Sequence, residues 1–337
     1  MFKRLLTAVF GAALLAGCGP QGTAEVGPDY FNGKTITYIV ATDPGGGYDT
    51  YGRLIARYMQ KHLPGSRVLV RNVPGAGHIV GANTINAARP DGLTIGMFNT
   101  GLIYNQLLQL EGAQFDLAEM SWIGKASNEL RVMLVATNSP YKSFEEMLRT
   151  TTPIKFAASG VGSAAYLDAR ILSRVFPEMM VEVIPGYEGS EGELAMLRGE
   201  VVAQVGIASS YENFVKAGNG YFALAMSQLA AEDLPGVPLA ETYVQSEEGH
   251  RLLSLLEALS DLGRLTVGPP GIPEPILAQL RAAHDAAIND PELLAEAETM
   301  LIPITPGSGQ FVQERIVQAL NQPPETIAAL AAAAAPQ

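Results

Sequence analysis

The feature that most constrains this chain is a strand, a glycine-rich turn and a helix, repeated in that order. Thr35–Ala41 is β-branched and apolar, the run Thr42-Asp43-Pro44-Gly45-Gly46-Gly47 follows, and Tyr48–Leu63 then carries apolar residues at helical spacing. Within that stretch Tyr51, Leu54, Ile55, Tyr58, Met59 and Leu63 share one face, while Arg53, Arg57 and Lys61 lie elsewhere. Such a face is buried by lying on a sheet. Arg67–Arg71 before Ile79–Ala88, and Leu93–Phe98 before Leu102–Leu108, repeat the plan. The pattern predicts an α/β domain on a mostly parallel sheet.

The rhythm restarts in the middle of the chain. Ile154–Ala158 precedes Ala164–Phe176, Val181–Ile184 precedes Glu191–Arg198, Val202–Ile207 precedes Tyr211–Lys216, and Tyr221–Met226 closes the series. We therefore expect a second lobe. Val132–Thr137 and Leu262–Val267 lie where the chain would cross between lobes, and the helical stretches Pro273–Asn289, Pro291–Leu301 and Ser308–Leu320 would return to the first. The resulting plan is a discontinuous first lobe (33–130 and 256–322), a second lobe (131–255) and a low-complexity tail (323–337). Ala328–Ala335 within that tail reads as either a fraying helix or a loose end. A chain of 337 residues with 47% hydrophobic content has enough apolar material for two cores.

The start of the chain reads as an export signal. Lys3-Arg4, the apolar stretch Leu5–Ala16 and then Leu15-Ala16-Gly17-Cys18 form a signal peptide over residues 1–17 with a lipobox at its end. The stretch is shorter than the ~20 residues a spanning helix needs, so a lipid anchor is expected rather than a peptide one. Cys18 is the sole cysteine, which assigns it to lipidation and leaves no disulfide, paired-thiolate metal site or catalytic thiol. Residues 18–32, small and polar from Gly19 to Pro28, read as a tether. The expected location is the periplasm or cell surface. A net charge of −12 argues against nucleic acid as a partner.

Four turns sit directly between strand and helix, where an open α/β sheet places its ligand. The first holds Gly45, Gly46 and Gly47, whose backbone can approach a ligand closely, then Tyr48, with Asp49 or Thr50 as a cap; the start of the helix offers N–H groups to an anion. The second, Asn72-Val73-Pro74-Gly75-Ala76-Gly77-His78, brings Gly77 and the possible donor His78. The third, Ser159-Gly160-Val161-Gly162-Ser163-Ala164, adds two hydroxyls, and the fourth, Pro185–Ser190, adds Tyr187, able to close over a ligand. Each also has a plainer reading as a connector or a packing residue. GxxxxGK[ST], GxSxG and HExxH are absent, and so is any paired-cysteine spacing. We expect no catalysis, no cofactor and no metal. His62 and His284, in helices with charged neighbours, read as solvated surface.

Pro44–Asp49 with Arg53-Leu54-Ile55-Ala56, then Asn72-Val73-Pro74-Gly75-Ala76-Gly77, then Pro90-Asp91-Gly92-Leu93-Thr94-Ile95, resemble the substrate-binding family of tripartite tricarboxylate transporters, the Bug proteins. A looser resemblance continues through Gly160–Leu167, Pro185–Gly189, Leu197–Val201 and Val267–Pro273. It implies a two-lobed periplasmic binding protein of the type II, Venus-flytrap kind, with a hinge and a central ligand cleft. It further implies that first-lobe glycine loops and a second-lobe loop grip a ligand carboxylate, partly through ordered water. Carried over by position, the contacts are Gly46, Gly47, Tyr48, Asp49, Gly77, His78, Ser159, Gly162 and Ser163. The residue reading adds Gly45, Gly160, Ala164 and Tyr187. The implied ligand is a di- or tricarboxylate or an aromatic acid, some relatives taking amino acids. The implied partners are the permease subunits, with the binding protein a monomer; the alternative is a sensing lipoprotein that reports to a membrane receptor. This chain departs from the family pattern at Val161–Ala164, at Val202, and at Glu188, where the family carries a basic residue.

Overall fold

The computed structural model describes residues 27–229 and 233–335, so the leader, Cys18 and most of the tether lie outside the described residues. Two sheets form. In the first, β1 (Thr35–Val40) runs parallel to β2 (Arg67–Asn72) and to β3 (Thr94–Met97). The other half of that sheet is antiparallel: β4 (Ser121–Ser127) pairs with β10 (Gly263–Gly268) and β11 (Gly307–Ser308), and β10 also pairs with β3. The second sheet sets β6 (Ile154–Ala158) parallel to β7 (Val181–Pro185) and β8 (Ala203–Ile207), with β5 (Arg131–Ala136) antiparallel to β8 and β9 (Gly220–Ala225). Both sheets are thus mixed rather than mostly parallel, because each also contains a strand through which the chain enters or leaves.

Those crossing strands build the hinge. The outgoing end of β4 pairs with the incoming end of β10, Ser127 opposite Gly263, and the Glu129 N–H donates to the Ser260 carbonyl at 2.8 Å. Lys125 fastens the junction: its ammonium reaches Asn128 Oδ1 at 2.6 Å and the Asp261 carbonyl at 2.7 Å. β4 was not expected from the sequence, because Ser121, Gly124, Lys125 and Ser127 interrupt its apolar character, yet all of its residues are buried. The lobe boundary expected at 256 falls inside α8 (Glu247–Ser260), a single helix whose Leu252, Leu255, Leu256 and Leu259 are buried. The chain returns to the first lobe only at β10.

Helices cover both sheets. In the first lobe α1 (Gly47–Lys61) buries Leu54, Ile55 and Met59 as its period required, and it packs against α9 (Glu274–Ile288). In the second lobe α5 (Ala164–Val175) packs against α8. Two expectations are corrected here. His284, expected on the surface, is 1% exposed. The missing side chain of Gly124 makes its room, since a Cβ there would lie 2.4 Å from His284 Nδ1. His62 is partly exposed and bonds Asp290 at 2.8 Å.

The low-complexity tail is the second correction. After α11 (Gly309–Leu320), which packs on β4, residues Pro324–Ala334 form a further helix, α12, seated on α5 and α8. Alanine has the highest helix propensity, and the spacing of Thr326, Ala329, Leu330 and Ala333 gives that helix one buried face. Arg170 closes its end, donating to the carbonyls of Ala333 at 3.0 Å and Ala335 at 2.6 Å. Leu330→Ala should lower unfolding free energy by about 2–5 kcal/mol in urea titrations. An unchanged midpoint would mean that this helix does not dock.

Candidate functional site

A cavity of about 220 Å³ lies between the lobes. Thr42, Asp43, Gly45–Tyr48, His78 and Asn99 line it from the first lobe. Ser159, Ala164, Tyr187–Glu188, Glu193, Gln204 and Ser210 are among the residues lining it from the second, and Arg131 and Asp168 line it at the junction.

The loop before α1 aims its backbone at this space. Gly46 precedes the helix in extended conformation and no side chain caps the first turn, so its N–H groups are left for an occupant of the cleft. Asp49 turns the other way: its carboxylate accepts from the Gly45 N–H (3.0 Å), Arg53 Nε (2.9 Å) and Asn72 Nδ2 (2.9 Å). Burial raises its pKa, but these bonds outweigh burial and hold it below the usual carboxylate range. Asp49 therefore braces the glycine loop and is absent from the cavity wall.

Arg264, on β10, lies directly beneath that loop and is fully buried. Its guanidinium carbon is 4.1 Å from the Tyr48 ring centroid and 4.9 Å from that of Tyr51. Nη2 donates to Ser210 Oγ at 3.1 Å, while Nε and Nη1 have no partner among the described residues. Its φ of +51° is one a non-glycine residue rarely adopts, a departure worth about 1–3 kcal/mol. Gly47 is the residue that permits this approach, because a Cβ there would lie 2.8 Å from Ser210 Oγ and 3.1 Å from Arg264 Nη2.

A second guanidinium organises the junction. Arg131 pairs with Asp168 of α5 and with Glu129 at 3.3 Å, and it donates to Thr100 Oγ1 at 2.8 Å. First-lobe hydroxyls complete the network: Tyr48 donates to Glu129 at 2.5 Å, Thr100 to Glu129 at 2.7 Å and Tyr104 to Asp168 at 2.9 Å. Burial, with the carboxylates second, pushes the pKa of both phenols well up, so they stay protonated donors. Asp168 is raised by burial against the opposing field of Arg131. The network ties groups of both lobes to the crossing segment.

The second glycine turn is left-handed throughout: Gly75, Ala76, Gly77 and His78 have φ of +128°, +48°, +60° and +81°. It sets the His78 ring edge-on to Tyr48, centroids 5.2 Å apart. His78 Nδ1 accepts from the Asn99 N–H at 3.3 Å, which puts the imidazole proton on Nε2. Burial first, then Arg264, lowers the His78 pKa to about 4. At neutral pH it is an uncharged donor.

Of the residues singled out from the sequence, Gly45, Gly46, Gly47, Tyr48, His78, Ser159, Ala164 and Tyr187 line the cavity. Gly77, Gly160, Gly162 and Ser163 are placed instead where the lobes touch. A Cβ on Gly77 would lie 2.8 Å from the Ser163 nitrogen, and one on Gly160 would lie 3.8 Å from the Gly77 nitrogen. The Ser163 hydroxyl is spent on its own turn, donating to the Gly160 carbonyl at 2.7 Å and accepting from the Tyr166 N–H at 3.3 Å. Arg131, Arg264, Glu129, Asp168, Glu193 and Gln204 were missed. A signal existed for the arginines: each is a lone charge in an apolar strand, Leu130-Arg131-Val132-Met133 and Gly263-Arg264-Leu265. Among the described residues no cluster of three or more His, Cys, Asp or Glu side chains could hold a metal ion.

Residues 52–326 match the family model described as the tripartite tricarboxylate transporter family receptor. Among solved structures, the chain is similar to the periplasmic binding protein BugD, with a TM-score of 0.72 at 18% identity, over 89% of this chain and 97% of that one. MatC from Rhodopseudomonas palustris with bound malate gives 0.68 at 21% identity, over 86% and 98%. Rpa4515 of R. palustris with adipate gives 0.71 at 18% identity, over 89% and 97%. At these identities the likeness is one of fold: two α/β lobes around a cleft.

The two buried histidines make a pH prediction. His78 and His284 have pKa values of about 4 in the fold against roughly 6.5 in an unfolded chain. The unfolded chain therefore takes up these protons first, and stability that is full above about pH 6.5 is lost as pH falls toward 4. Thermal melts across that window should show a shallower slope for His284→Met than for the natural chain; equal slopes would remove His284 from the account.

Proposed function

The chain belongs to the tripartite tricarboxylate transporter receptor family, and from that premise we propose that it captures a small carboxylate by lobe closure and delivers it to a permease of that transporter class. The observation that carries this reading is Arg264. A fully buried guanidinium with two nitrogens unpartnered, set under an uncapped helix start, is a cation awaiting an anion. The carboxylate would accept from the N–H groups of Gly47 and Tyr48 and lie in the field of Arg264, with the helix end adding ~0.3–1 kcal/mol. His78, an uncharged donor, and the Ser159 and Ser210 hydroxyls line the same space. The malate and adipate held by two structural neighbours make dicarboxylates the first acids to try.

Closure follows from differential affinity. A ligand that touches the first-lobe loop alone favours neither state, whereas one that also engages the second lobe stabilises the closed form by the strength of those added contacts. The hydroxyl donors of Tyr48, Thr100 and Tyr104 close onto the crossing segment and α5 in the same movement. Binding rather than turnover is supported by His78, whose Nδ1 is engaged by a backbone N–H and not by a cavity hydroxyl. The lipobox supports a protein held near its permease by acyl chains on Cys18.

A calorimetric and thermal-shift panel of mono-, di- and tricarboxylates tests the reading. A true ligand at a hundredfold its dissociation constant adds ~2.7 kcal/mol to stability. Arg264→Met should keep or raise the ligand-free melting temperature, because an unpaired buried charge is removed, and should weaken acid binding at least tenfold. Silence across the whole panel, or undiminished binding by the variant, would reject the proposal. For the anchor, Cys18→Ala should move the protein from the membrane to the soluble periplasmic fraction; unchanged fractionation would reject lipidation there.

A further inference from the structure

Behind the glycine loop lies a polar cluster that the ligand cavity does not include. Tyr51, Ser127, Ser209 and Arg264 are all absent from the cavity wall. Four elements bring them together: α1 supplies Tyr51, the end of β4 Ser127, β10 Arg264, and the first turn of α7 (Ala208–Lys216) supplies Ser209. Ser127, Ser209 and Arg264 all approach the Tyr51 phenol oxygen, none close enough or well enough aligned to bond it. The phenol is committed elsewhere, donating to the Pro303 carbonyl at 2.8 Å. Among the described residues Ser127 Oγ, Ser209 Oγ and the Arg264 Nε and Nη1 are therefore shielded from solvent with no hydrogen-bond partner. Ser127 and Arg264 are both 0% exposed.

The surroundings of this cluster are positive. Glu129 and Asp168, the carboxylates of the junction, are directed at Arg131, and Glu129 also accepts from Tyr48 and Thr100. The starts of α1 and α7 both abut Arg264, at Gly47 and at Ser210, and neither carries a side-chain cap, so two helix fields add to the guanidinium charge. A water molecule there would satisfy hydroxyls and leave the buried charge uncompensated. We propose that the cluster binds a small inorganic anion, chloride in the first instance, held by Arg264 and the hydroxyls of Ser127 and Ser209. A halide only accepts, and serine hydroxyls rotate to donate to it. A monatomic ion also needs the least room behind the Tyr51 ring. Ser209 belongs to the second lobe while Ser127 and Arg264 lie on the crossing strands, so the ion is one more contact between the halves. The site is separate from the ligand carboxylate, which lies on the cavity side at the Gly47 and Tyr48 N–H groups; the two have only the field of Arg264 in common.

Thermal melts without any organic acid test this, with sodium chloride or bromide replacing sodium fluoride at constant ionic strength. Chloride and bromide should raise the melting temperature of the natural chain along a saturating curve. Arg264→Met should abolish that response, and Ser127→Ala and Ser209→Ala should each move its midpoint to roughly tenfold higher halide, the worth of one hydrogen bond to a charged group. Each serine variant deletes a hydroxyl that has no partner, so the fold itself is not put at risk. Crystals grown in bromide should show an anomalous peak among Arg264, Ser127 and Ser209. A peak at the Gly47 and Tyr48 N–H groups instead would overturn the separate site, by placing halide where the ligand carboxylate goes. A response that never saturates, or that Arg264→Met retains, would overturn it as well and leave the cluster to water. Carboxylate capture is read by the acid panel, which does not depend on the halide response, so either proposal can fail alone.

Discussion

The junction between the lobes depends on two guanidinium groups, Arg131 and Arg264, that are 1% and 0% exposed. Withdrawing a charge from water costs several kcal/mol even after relaxation, and only close, well-bonded counter-charges offset it. Arg131 has such counter-charges, with carboxylates on two sides that also accept from first-lobe hydroxyls, and only its Nε is without a partner among the described residues. Arg264 does not, having aromatic faces and one hydroxyl in place of a carboxylate. The difference is what the proposal of an anion beside Arg264 rests on. One is neutralised from within and joins the two lobes; the other has no carboxylate partner and sits, on a backbone of positive φ, beneath the glycine loop.

Much of this was legible from the residues. Period 3.6 placed α1 and named its buried face, and the strand–glycine–helix repeat located the loops that line the cavity. What it could not separate was a glycine that lines the cavity from one that only lets the lobes touch. Gly47 and Gly77 look alike in sequence, yet a side chain on the first would strike Arg264 and the second-lobe Ser210 hydroxyl beside the cavity, and one on the second the backbone at Ser163, away from it. Long-range partners were illegible for the same reason. That His284 fits against Gly124, or that Tyr48 reaches Glu129, depends on elements far apart in the chain. β4 was missed because its Ser121 and Lys125 are satisfied by distant carbonyls, those of Pro269 and Asp261, and composition cannot show that.

The left-handed turn from Gly75 to His78 illustrates how a small energetic debt can serve precision. Ala76 and His78 adopt a region that favours glycine, which a free chain would leave, and they stay because the turn is hemmed between β2 and the opposing lobe. The result is an imidazole with a defined tautomer and no charge, set beside a phenol ring whose hydroxyl is already committed.

The docking of α12 changes the mechanics of the whole. α11 rests on the first sheet and α12 on helices of the second lobe, so the peptide around Asn321–Pro323 is a third strap between the halves, beside the two at Glu129 and Asp261. Two adjacent straps leave a body free to swivel as well as to fold. A third attachment, stiffened by Pro323 and Pro324, restrains that swivel, so the C-terminal helix couples the two halves as well as covering one of them.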